Sequence, residues 1–540
     1  EDYISENGTN KITAGNNGID HRGSGTITLK AENGKNVIHA GVGQAEHEGD
    51  GLRVSGDGDV ELQAKYNEVT GQDEGINIDT AHSEVTITAT DSDENGIGNL
   101  ISGADNGIQI IGKKITSTSS GETATGESTV TVSAESGANR ITAGHTGITV
   151  NGNNNILNLF GNRNLIEVTG AVSESNNNWV YGINAQESGR VNIKSYSEKD
   201  TVSNITVSDA HGAVRGIHAG TGGIVDIDQN ALKISVHRLD GTHNGSTQAE
   251  AGEVFGVAVN ADSLSNQTGD MAASLVDVTT NKDMTISVQS DADTTVSAGI
   301  YAGLNGQTSV ISENGKLDIS VKDTSDANGG TTQGIWTDSY GNISVETKTG
   351  INVHAENQGT SANRSVYGIR VNVSNRTNPV QILDPGKVVL NTEGDISVTA
   401  IANANSNASG LSAVSNANAL TTGEILVEKA NSVTVSASGQ SASALAANTT
   451  GKNTIKASGN VTLTAESLES SSNGNVRAIY SFNGNNTVTT DGTIKVFANG
   501  WGTNDTVKGI HTFGNSTSTG NTNLTGSGIA VTATNGEGGA

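Results

Sequence analysis

The chain has 540 residues, of which 70 are Gly, 2 are Pro and none is Cys, and its formal net charge is −27. A single-core domain rarely exceeds ~300 residues, so the length requires several domains or a core that grows along one axis. The missing Cys excludes disulfides, thiolate catalysis and Cys-ligated metals. The acidic charge argues against nucleic acid as a partner. No apolar run approaches the ~18 residues that cross a bilayer, so the chain is not expected to be membrane-embedded.

The N-terminal section is the most acidic part of the chain. Residues 1–100 carry 19 acids and 6 bases, whereas residues 401–540 carry 7 acids and 6 bases. A turn pattern at residues 10–19, Asn-Lys-Ile-Thr-Ala-Gly-Asn-Asn-Gly-Ile, returns in closely similar form at residues 139–148. We interpret the two as equivalent turns about four repeats apart.

A small residue followed by an aliphatic one recurs along the chain at a mean spacing of about 35 residues. The clearest copy, Val180 to Ala185, returns at Val214 to Ala219. Repetition at such a period predicts a solenoid, because a repeat of this size buries its apolar face only against its neighbours. The fifteen pairs, called anchors below, are Gly18-Ile19, Gly51-Leu52, Gly75-Ile76, Gly107-Ile108, Gly147-Ile148, Gly182-Ile183, Gly216-Ile217, Gly256-Val257, Gly299-Ile300, Gly334-Ile335, Gly368-Ile369, Gly410-Leu411, Ala444-Leu445, Ala478-Ile479 and Gly509-Ile510.

Each repeat contains two further strand signals after its anchor. The anchor at Gly182-Ile183 is followed by alternating apolar residues at 190–193 and 204–207, and triplets such as Ile286-Ser287-Val288 continue the pattern. This alternation predicts strands with one buried face. The chain is therefore predicted to be all-β: a right-handed parallel β-helix with three strands per coil and about fifteen coils. Residues 1–540 are expected to form one continuous domain, without an α-helical domain.

Two further expectations concern the backbone. We expect the glycine of each anchor to adopt a positive φ at a bend between faces. The spacing of the repeats is interrupted by predicted insertions at 116–128, 237–253, 261–274 and 373–387. The last of these holds Pro379 and Pro385, the only prolines of the chain.

The chain resembles the β-helical passenger of a Gram-negative monomeric autotransporter adhesin. The features that match are the anchors such as Val180 to Ala185, the Ile-Ser-Val and Val-Thr-Val strands, and the absence of Cys. Two-partner-secreted haemagglutinins share that fold. The resemblance implies an extracellular protein on the bacterial surface, anchored through a C-terminal outer-membrane barrel outside these residues, which would be a passenger fragment without its signal peptide. It also implies partners of three kinds: a host receptor protein, the extracellular matrix or a glycan. Self-association between neighbouring cells, as in a biofilm, is a further implication.

The sequence contains no catalytic or zinc-binding motif that would indicate an enzyme. The Gly-Asp-Ser-Gly elbow of serine proteases does not occur, and the 11 His residues have neither helical spacing nor Cys partners for zinc. Gly56-Asp57-Gly58-Asp59 resembles part of a calcium-binding nonapeptide, but it stands alone where that motif needs tandem copies. We therefore predict no cofactor, no metal and no catalytic residue.

One enzyme alternative stays open. Asp226 and Asp277 occupy equivalent outward positions on consecutive coils, with Asp228 beside them. Two carboxylates ~5 Å apart can serve as acid and base in a polysaccharide lyase or hydrolase. A solvated acidic face explains the same residues, and a shared cleft would favour the enzyme.

The leading hypothesis is an adhesive surface beside the anchors. If the residue before each anchor glycine and the residue after each anchor Ile both point outward, six of the sixteen aromatic residues lie at one recurring outward position. Exposed rings at coil spacing form a platform for sugar rings or a protein hot spot, although some of them could instead fill the core. A passive stalk is the remaining alternative. The predicted ligand-binding residues are Tyr181, Arg215, His218, Phe255, Tyr301, Trp336, Tyr367 and Arg370, with Asn184, Tyr480 and His511 at equivalent positions.

Overall fold

A computed structural model shows an all-β chain whose strands pair in parallel with strands of the neighbouring repeats. It describes residues 2–5, 8–43, 49–80, 82–112, 127–152, 154–170, 179–196, 201–209, 213–239, 252–260, 273–292, 294–324, 326, 329–338, 340–373, 386–415, 422–468, 473–502, 504–515 and 519–535. These residues contain no helix. Most of each predicted insertion, with both prolines, lies outside them.

The strands in the first half of the chain are β1 Asp2–Ser5, β2 Thr9–Thr13, β3 Ile19–His21, β4 Gly25–His39, β5 Leu52–Val54, β6 Gly58–Thr70, β7 Ile76–Ile78, β8 Glu84–Ala89, β9 Ile97–Gly103, β10 Asn106–Ile111, β11 Thr129–Ala143, β12 Thr146–Asn151, β13 Ile156–Thr169, β14 Trp179–Gln186, β15 Arg190–Ser195, β16 Val202–Asp209, β17 Ala213–Ala219, β18 Ile224–Gln229, β19 Ala231–Arg238, β20 Gly252–Val259 and β21 Ser274–Thr280.

The strands that follow are β22 Met284–Ser290, β23 Thr294–Ala302, β24 Gly306–Ser312, β25 Lys316–Asp323, β26 Thr331–Asp338, β27 Asn342–Thr347, β28 Gly350–Asn357, β29 Ser365–Val373, β30 Lys387–Thr392, β31 Asp395–Ile401, β32 Asn407–Ser415, β33 Glu424–Lys429, β34 Val433–Ser438, β35 Ser441–Asn448, β36 Lys452–Ala457, β37 Val461–Glu466, β38 Asn475–Phe482, β39 Asn485–Thr490, β40 Thr493–Gly500, β41 Thr506–Phe513, β42 Asn521–Thr525 and β43 Gly528–Asn535.

The chain divides into two compact units. Unit 1 is Glu1–Ser235 with Ala272–Asn281, and unit 2 is Val236–Met271 with Lys282–Ala540. In unit 1 the anchors lie on β3, β5, β7, β10, β12, β14 and β17, which form a parallel sheet in that order. In unit 2 they lie on β20, β23, β26, β29, β32, β35, β38 and β41, again parallel and in that order. We call these strands the anchor strands. Whether residues 1–540 form one continuous domain stays a prediction.

The three predicted strands per repeat are confirmed around the clearest anchor. β14 carries Gly182-Ile183, and β15 and β16 cover the next two apolar segments before β17 starts the following repeat. Each strand pairs in register with its equivalent one repeat later, as β14 does with β17 through Ile183 and Ile217. The prediction of an all-β parallel β-helix is thus confirmed.

The aliphatic residues of the anchors form the core because parallel register places one above the next. Ile183, Ile217 and Ile300 are fully buried, whereas Ile510 is 39% exposed. The Ile-Ser-Val triplets alternate as predicted, since Ile286 and Val288 are buried while Ser287 faces the outside of β22. Stacked in this way, one apolar position per strand becomes a continuous aliphatic column.

The anchor glycines do not adopt the predicted positive φ. No anchor glycine is among the residues with left-handed backbone, although Gly25 and Gly152 are. Their role is close packing instead. A Cβ on Gly182 would lie 2.5 Å from the carbonyl oxygen of Gly216 and 2.6 Å from Cγ2 of Ile205. A small residue recurs there because the core and the next anchor strand leave little room for a side chain.

Asparagines form a buried ladder at one corner of unit 1. The side-chain amide of each Asn donates from Nδ2 to Oδ1 of the Asn in the next repeat, at 2.9 Å in all five steps. The ladder begins at Asn10 and passes Asn139 four steps later, as the similar turns at these positions predicted. It stands where the long strands bend, just after the register shift between Ala31 and Lys35 of β4. The members are Asn10, Asn36, Asn67, Asn99, Asn139 and Asn164.

Candidate binding face

The strand alternation breaks at each anchor, which turns two flanking residues to the outside. In β14, Val180, Ile183 and Ala185 are fully buried, and a Cβ on Gly182 would meet the core residues Ile205 and Val207. Residues before the glycine and after the Ile therefore lie on the opposite side of the strand, which we call the outer face. The predicted outward direction follows from this register.

The predicted exposure of these side chains is wrong for five of the eight candidate residues. Parallel register sets equivalent residues one strand spacing apart, ~4.8 Å, so that large side chains cover one another. Trp336, Tyr367 and Arg370 are partly buried. The five buried residues are Tyr181 at 8% exposure, Arg215 and His218 at 0%, Phe255 at 1% and Tyr301 at 4%.

The unit 1 part of the outer face is a closed aromatic and cationic cluster. The Arg215 guanidinium carbon lies 4.2 Å from the ring centre of Trp179 and 5.8 Å from that of Tyr181. Tyr181 also stacks on His218 at 5.2 Å between ring centres. Nδ1 of His218 and Oδ1 of Asn184 are 2.9 Å apart.

This cluster fixes the charge state of His218. Burial, and then the positive charge of Arg215, lower the pKa of His218 well below its usual range. The imidazole is therefore neutral at pH 7, and its Nδ1–H can donate to Asn184. Packed against one another, these groups stabilise β14 and β17, and Trp179 is the exposed ring of the cluster at 36%. Trp179 was missed by sequence reasoning, although it is two residues from Tyr181 and so shares its side of the strand.

The part of the outer face that lies in unit 2 begins with two stacked aromatic rings. The rings of Phe255 and Tyr301 are stacked nearly parallel, with ring centres 5.2 Å apart and planes inclined by 11°. Tyr301 then meets Trp336 at 4.4 Å. Ala258 and Ala298 complete the apolar cluster beneath these rings. The small alanines leave room for the rings of the neighbouring strands.

The stack ends beside three polar side chains, each with one buried atom that has no hydrogen-bond partner among the described residues. Trp336 pairs in register with Arg370, and Gln333 pairs with Tyr367. The Arg370 guanidinium carbon lies 4.4 Å from the ring centre of Tyr367. Nε1 of Trp336, Nε of Arg370 and Oε1 of Gln333 are buried without a hydrogen-bond partner among the described residues. We call Gln333, Trp336, Tyr367 and Arg370 the open cluster.

A third aromatic group lies on β38 and β41. Arg477 covers Tyr480 at 4.7 Å, and Tyr480 lies 5.9 Å from His511. Phe513, which sequence reasoning did not include, contacts His511 at 4.8 Å between ring centres and is 40% exposed. Burial, and then the charges of Lys508 and Arg477, lower the pKa of His511. The outer position of the anchors therefore carries aromatic and cationic side chains on β38 and β41, as it does on β14 and β17.

The carboxylates of the enzyme alternative are stacked as predicted. Asp226 and Asp277 are register partners on β18 and β21, and Nη2 of Arg190 lies 3.6 Å from Oδ2 of Asp226. Oδ1 of Asp277 is buried without a hydrogen-bond partner among the described residues. Asp228 is exposed on the same strand as Asp226.

A surface depression of about 430 Å³ lies at another place in unit 1 and is lined by Asp57, Asp59, His82, Ser83, Glu84, Glu127 and Thr129. Asp57 accepts a hydrogen bond from Oγ1 of Thr80, and Asp59 accepts one from the backbone N–H of Glu84. These bonds tie successive turns together, which agrees with an acidic structural turn. None of the stacked carboxylates of the enzyme alternative lines this depression.

Comparison with known proteins identifies no relative of this chain. No family model, no curated protein and no solved structure matches the chain. Over the described ranges, no helix is both long and apolar enough to cross a membrane.

Proposed function

We propose that this chain is a non-catalytic adhesion protein that binds an oligosaccharide at the open cluster of unit 2. The observation that carries the proposal is the set of buried atoms on Gln333, Trp336 and Arg370 that have no hydrogen-bond partner among the described residues, next to the partly buried rings of Trp336 and Tyr367. A buried polar atom without a partner costs about 1–3 kcal/mol, so a cluster of three in one place needs an explanation. A bound ligand supplies one.

The chemistry of the open cluster matches a sugar. Nε1–H of Trp336 and Nε–H of Arg370 can donate to hydroxyl or ring oxygens, and Oε1 of Gln333 can accept from a hydroxyl. The apolar face of a pyranose can stack on the rings of Trp336 and Tyr367. The chain carries a net charge of −27, which disfavours polyanionic receptors. We therefore expect a neutral or weakly charged oligosaccharide.

Display on the bacterial surface is part of the same proposal. It is supported by the Cys-free composition, by the parallel β-helix and by the resemblance to autotransporter adhesins. In this setting the ligand would be a glycan of a host cell or of the extracellular matrix. Receptor proteins and self-association between cells remain alternatives that a binding screen separates.

The test is a glycan array probed with the purified chain, followed by dissociation constants for the sugars that bind. Trp336→Phe keeps an aromatic ring but removes the N–H donor and part of the indole, and Arg370→Lys removes the Nε donor while keeping the charge. We expect each change to weaken binding by roughly 1–3 kcal/mol, the size of a hot-spot contact.

The matched control is Trp501→Phe, because Trp501 is also in unit 2 but is 52% exposed and lies outside the open cluster. It should bind as the unmodified chain does. Trp336 packs against the Phe255 and Tyr301 cluster, so its replacement by Ala would also lower stability, and phenylalanine is the informative change. Equal affinity in the Trp336, Arg370 and Trp501 variants would remove the open cluster from the site. No binding to any glycan or matrix protein would favour a passive stalk.

A glycan-active enzyme is the second candidate, favoured by the stacked Asp226 and Asp277 with the unpartnered Oδ1 of Asp277. If the chain is an enzyme, a bound polysaccharide should be shortened on incubation, with new reducing ends or unsaturated products. Asp277→Asn should abolish the cleavage. An intact polysaccharide after prolonged incubation would reject this candidate.

A further inference from the structure

The same outer position that carries rings in the later repeats carries carboxylates in the early ones. Asp50 precedes the anchor Gly51-Leu52, and Glu74 precedes the next anchor, Gly75-Ile76. β5 and β7 pair in parallel register through Leu52 and Ile76, so these two acids lie at equivalent positions just before neighbouring strands. Both are buried, Asp50 at 2% exposure and Glu74 at 5%. Two buried carboxylates at strand spacing repel each other strongly unless a positive charge or a proton lies between them.

A third carboxylate completes the group. Asp50, Asp73 and Glu74 each offer an oxygen within 4.8 Å of the others. This separation is about twice a calcium–oxygen bond length of ~2.4 Å, so one ion can contact all three. The three residues come from two successive turns that the parallel register brings together.

Hydrogen bonds from neighbouring residues reach one oxygen of Glu74 and both oxygens of Asp50. Oε1 of Glu74 accepts from the side-chain amides of Asn106 and Gln109, both at 3.3 Å. Oε2 of Glu74 is buried, and no donor among the described residues reaches it. Oδ2 of Asp50 accepts from Nδ2 of Asn77 at 3.1 Å, and Nη1 of Arg53 lies 3.8 Å from it. Among the described residues, the cation paired with this group is the Arg53 guanidinium, whose side chain is 39% exposed.

We propose that Asp50, Asp73 and Glu74 form a calcium site that joins two adjacent repeats of unit 1. Calcium prefers oxygen ligands, tolerates irregular geometry and would use the open Oε2 of Glu74 as a ligand. Water molecules would complete its coordination. In the ion-free protein, burial and the nearby Asp50 and Asp73 raise the pKa of Glu74 to about 10.

The test uses the full chain, freed of metal by chelator and titrated with calcium chloride in a calorimeter. We expect one calcium ion bound at this site, with a dissociation constant of about 0.1–1 mM, the range of extracellular calcium modules. Glu74→Gln keeps the size of the side chain and should weaken binding at least tenfold, and Asp73→Asn should do the same. The melting temperature of the unmodified chain should rise in about 5 mM calcium, a concentration several times the expected dissociation constant.

Two controls make the result specific. In chelator, Glu74→Gln should melt near the temperature of the unmodified chain because the amide keeps the size of the side chain and adds no charge, which shows that lost binding is not lost folding. Should Glu74→Gln fail to fold, the partly buried Asp73→Asn decides the outcome. Asp57→Asn removes an exposed acid from the neighbouring turn and should leave calcium binding unchanged. The proposal fails if the unmodified chain binds no calcium, if Glu74→Gln and Asp73→Asn bind as it does, or if Asp57→Asn abolishes binding.

Discussion

His218 shows why direction and exposure are separate properties of a residue in a stacked sheet. It follows Ile217, which faces the core, and so it lies on the outer face, yet it is as fully buried as Ile217. Its ring packs on Tyr181 and its Nδ1 meets Asn184. Sequence alternation gives the side of the strand, but not what covers that side.

The burial of His218 leads to a stability prediction. Ile217→Ala should lower the free energy of unfolding by about 2–5 kcal/mol because it leaves a cavity in the aliphatic column. We expect His218→Ala to cost at least ~2 kcal/mol, since it removes the stacking and the hydrogen bond. Lys194→Ala, at an exposed position of β15, should change the value by less than ~0.5 kcal/mol. Urea unfolding measures all three, and a His218→Ala variant as stable as Lys194→Ala would contradict the packing described here.

The neutral state of His218 gives a pH prediction. Because its pKa in the folded protein lies below the unfolded value of 6.5, its contribution to stability is complete above pH 6.5 and is lost as the pH falls toward the folded pKa. Between pH 7 and pH 5 the free energy of unfolding should therefore fall, and protonation of this residue in the unfolded chain accounts for part of that fall. Arg215 is the charged group beside it, and Tyr181 and Asn184 are its other neighbours. His218→Gln should lose that part of the pH dependence, and a variant with the same slope as the unmodified chain would refute the assignment.

At the scale of the element, the asparagine ladder shows what a buried polar column requires. Asn99 accepts from Asn67, and its own Nδ2 donates to Oδ1 of Asn139 and, at 2.7 Å, to the carbonyl oxygen of Ser133. The four inner members of the ladder, Asn36, Asn67, Asn99 and Asn139, are buried and bonded on both sides. The removal of one member therefore leaves unpaired groups on its neighbours.

Asn99→Ala is expected to lower the free energy of unfolding by about 2–4 kcal/mol, since buried partners without hydrogen bonds cost more than the lost bond itself. Asn192→Ala is the matched control: Asn192 bonds to Asn158 at 2.8 Å on a partly exposed outer column of β15. Its loss should cost no more than about 1 kcal/mol. Circular dichroism during urea unfolding would compare them, and equal effects would show that the ladder adds no special stability.

The sequence pattern predicted the positions of the anchor strands but not their backbone conformation or their contacts. All fifteen anchors lie on or immediately before parallel anchor strands, because a period of about 35 residues with three apolar segments has few other ways to bury its faces. The predicted conformation of the anchor glycines was wrong. A recurring glycine indicates either a left-handed backbone or a close approach of another chain segment, and the sequence does not distinguish the two. Asp50 and Glu74 were not recognised as a pair because they are 24 residues apart in sequence, a spacing shorter than the mean repeat.

At the scale of the whole molecule, one register principle accounts for both proposals. Parallel stacking turns each sequence position into a column, so the positions beside the anchors carry acids just before β5 and β7, the closed aromatic and cationic cluster on β14 and β17, and rings with open donors on β23, β26 and β29. Columns of this kind are visible in the sequence once the period is known. Which column binds a ligand depends on unpaired atoms, which no sequence pattern reveals.

Hydroxyl-radical footprinting tests the open cluster most directly, because it locates a ligand on the unmodified chain. The purified protein is oxidised with and without saturating amounts of the best oligosaccharide from the array, and the oxidation of individual rings is quantified by mass spectrometry. We expect oxidation of Trp336 and Tyr367 to fall severalfold in the complex, while Trp501 and Tyr196, which are 52% and 50% exposed, stay unchanged. Protection of Trp501 or Tyr196 with Trp336 and Tyr367 still oxidised would contradict the proposed binding face.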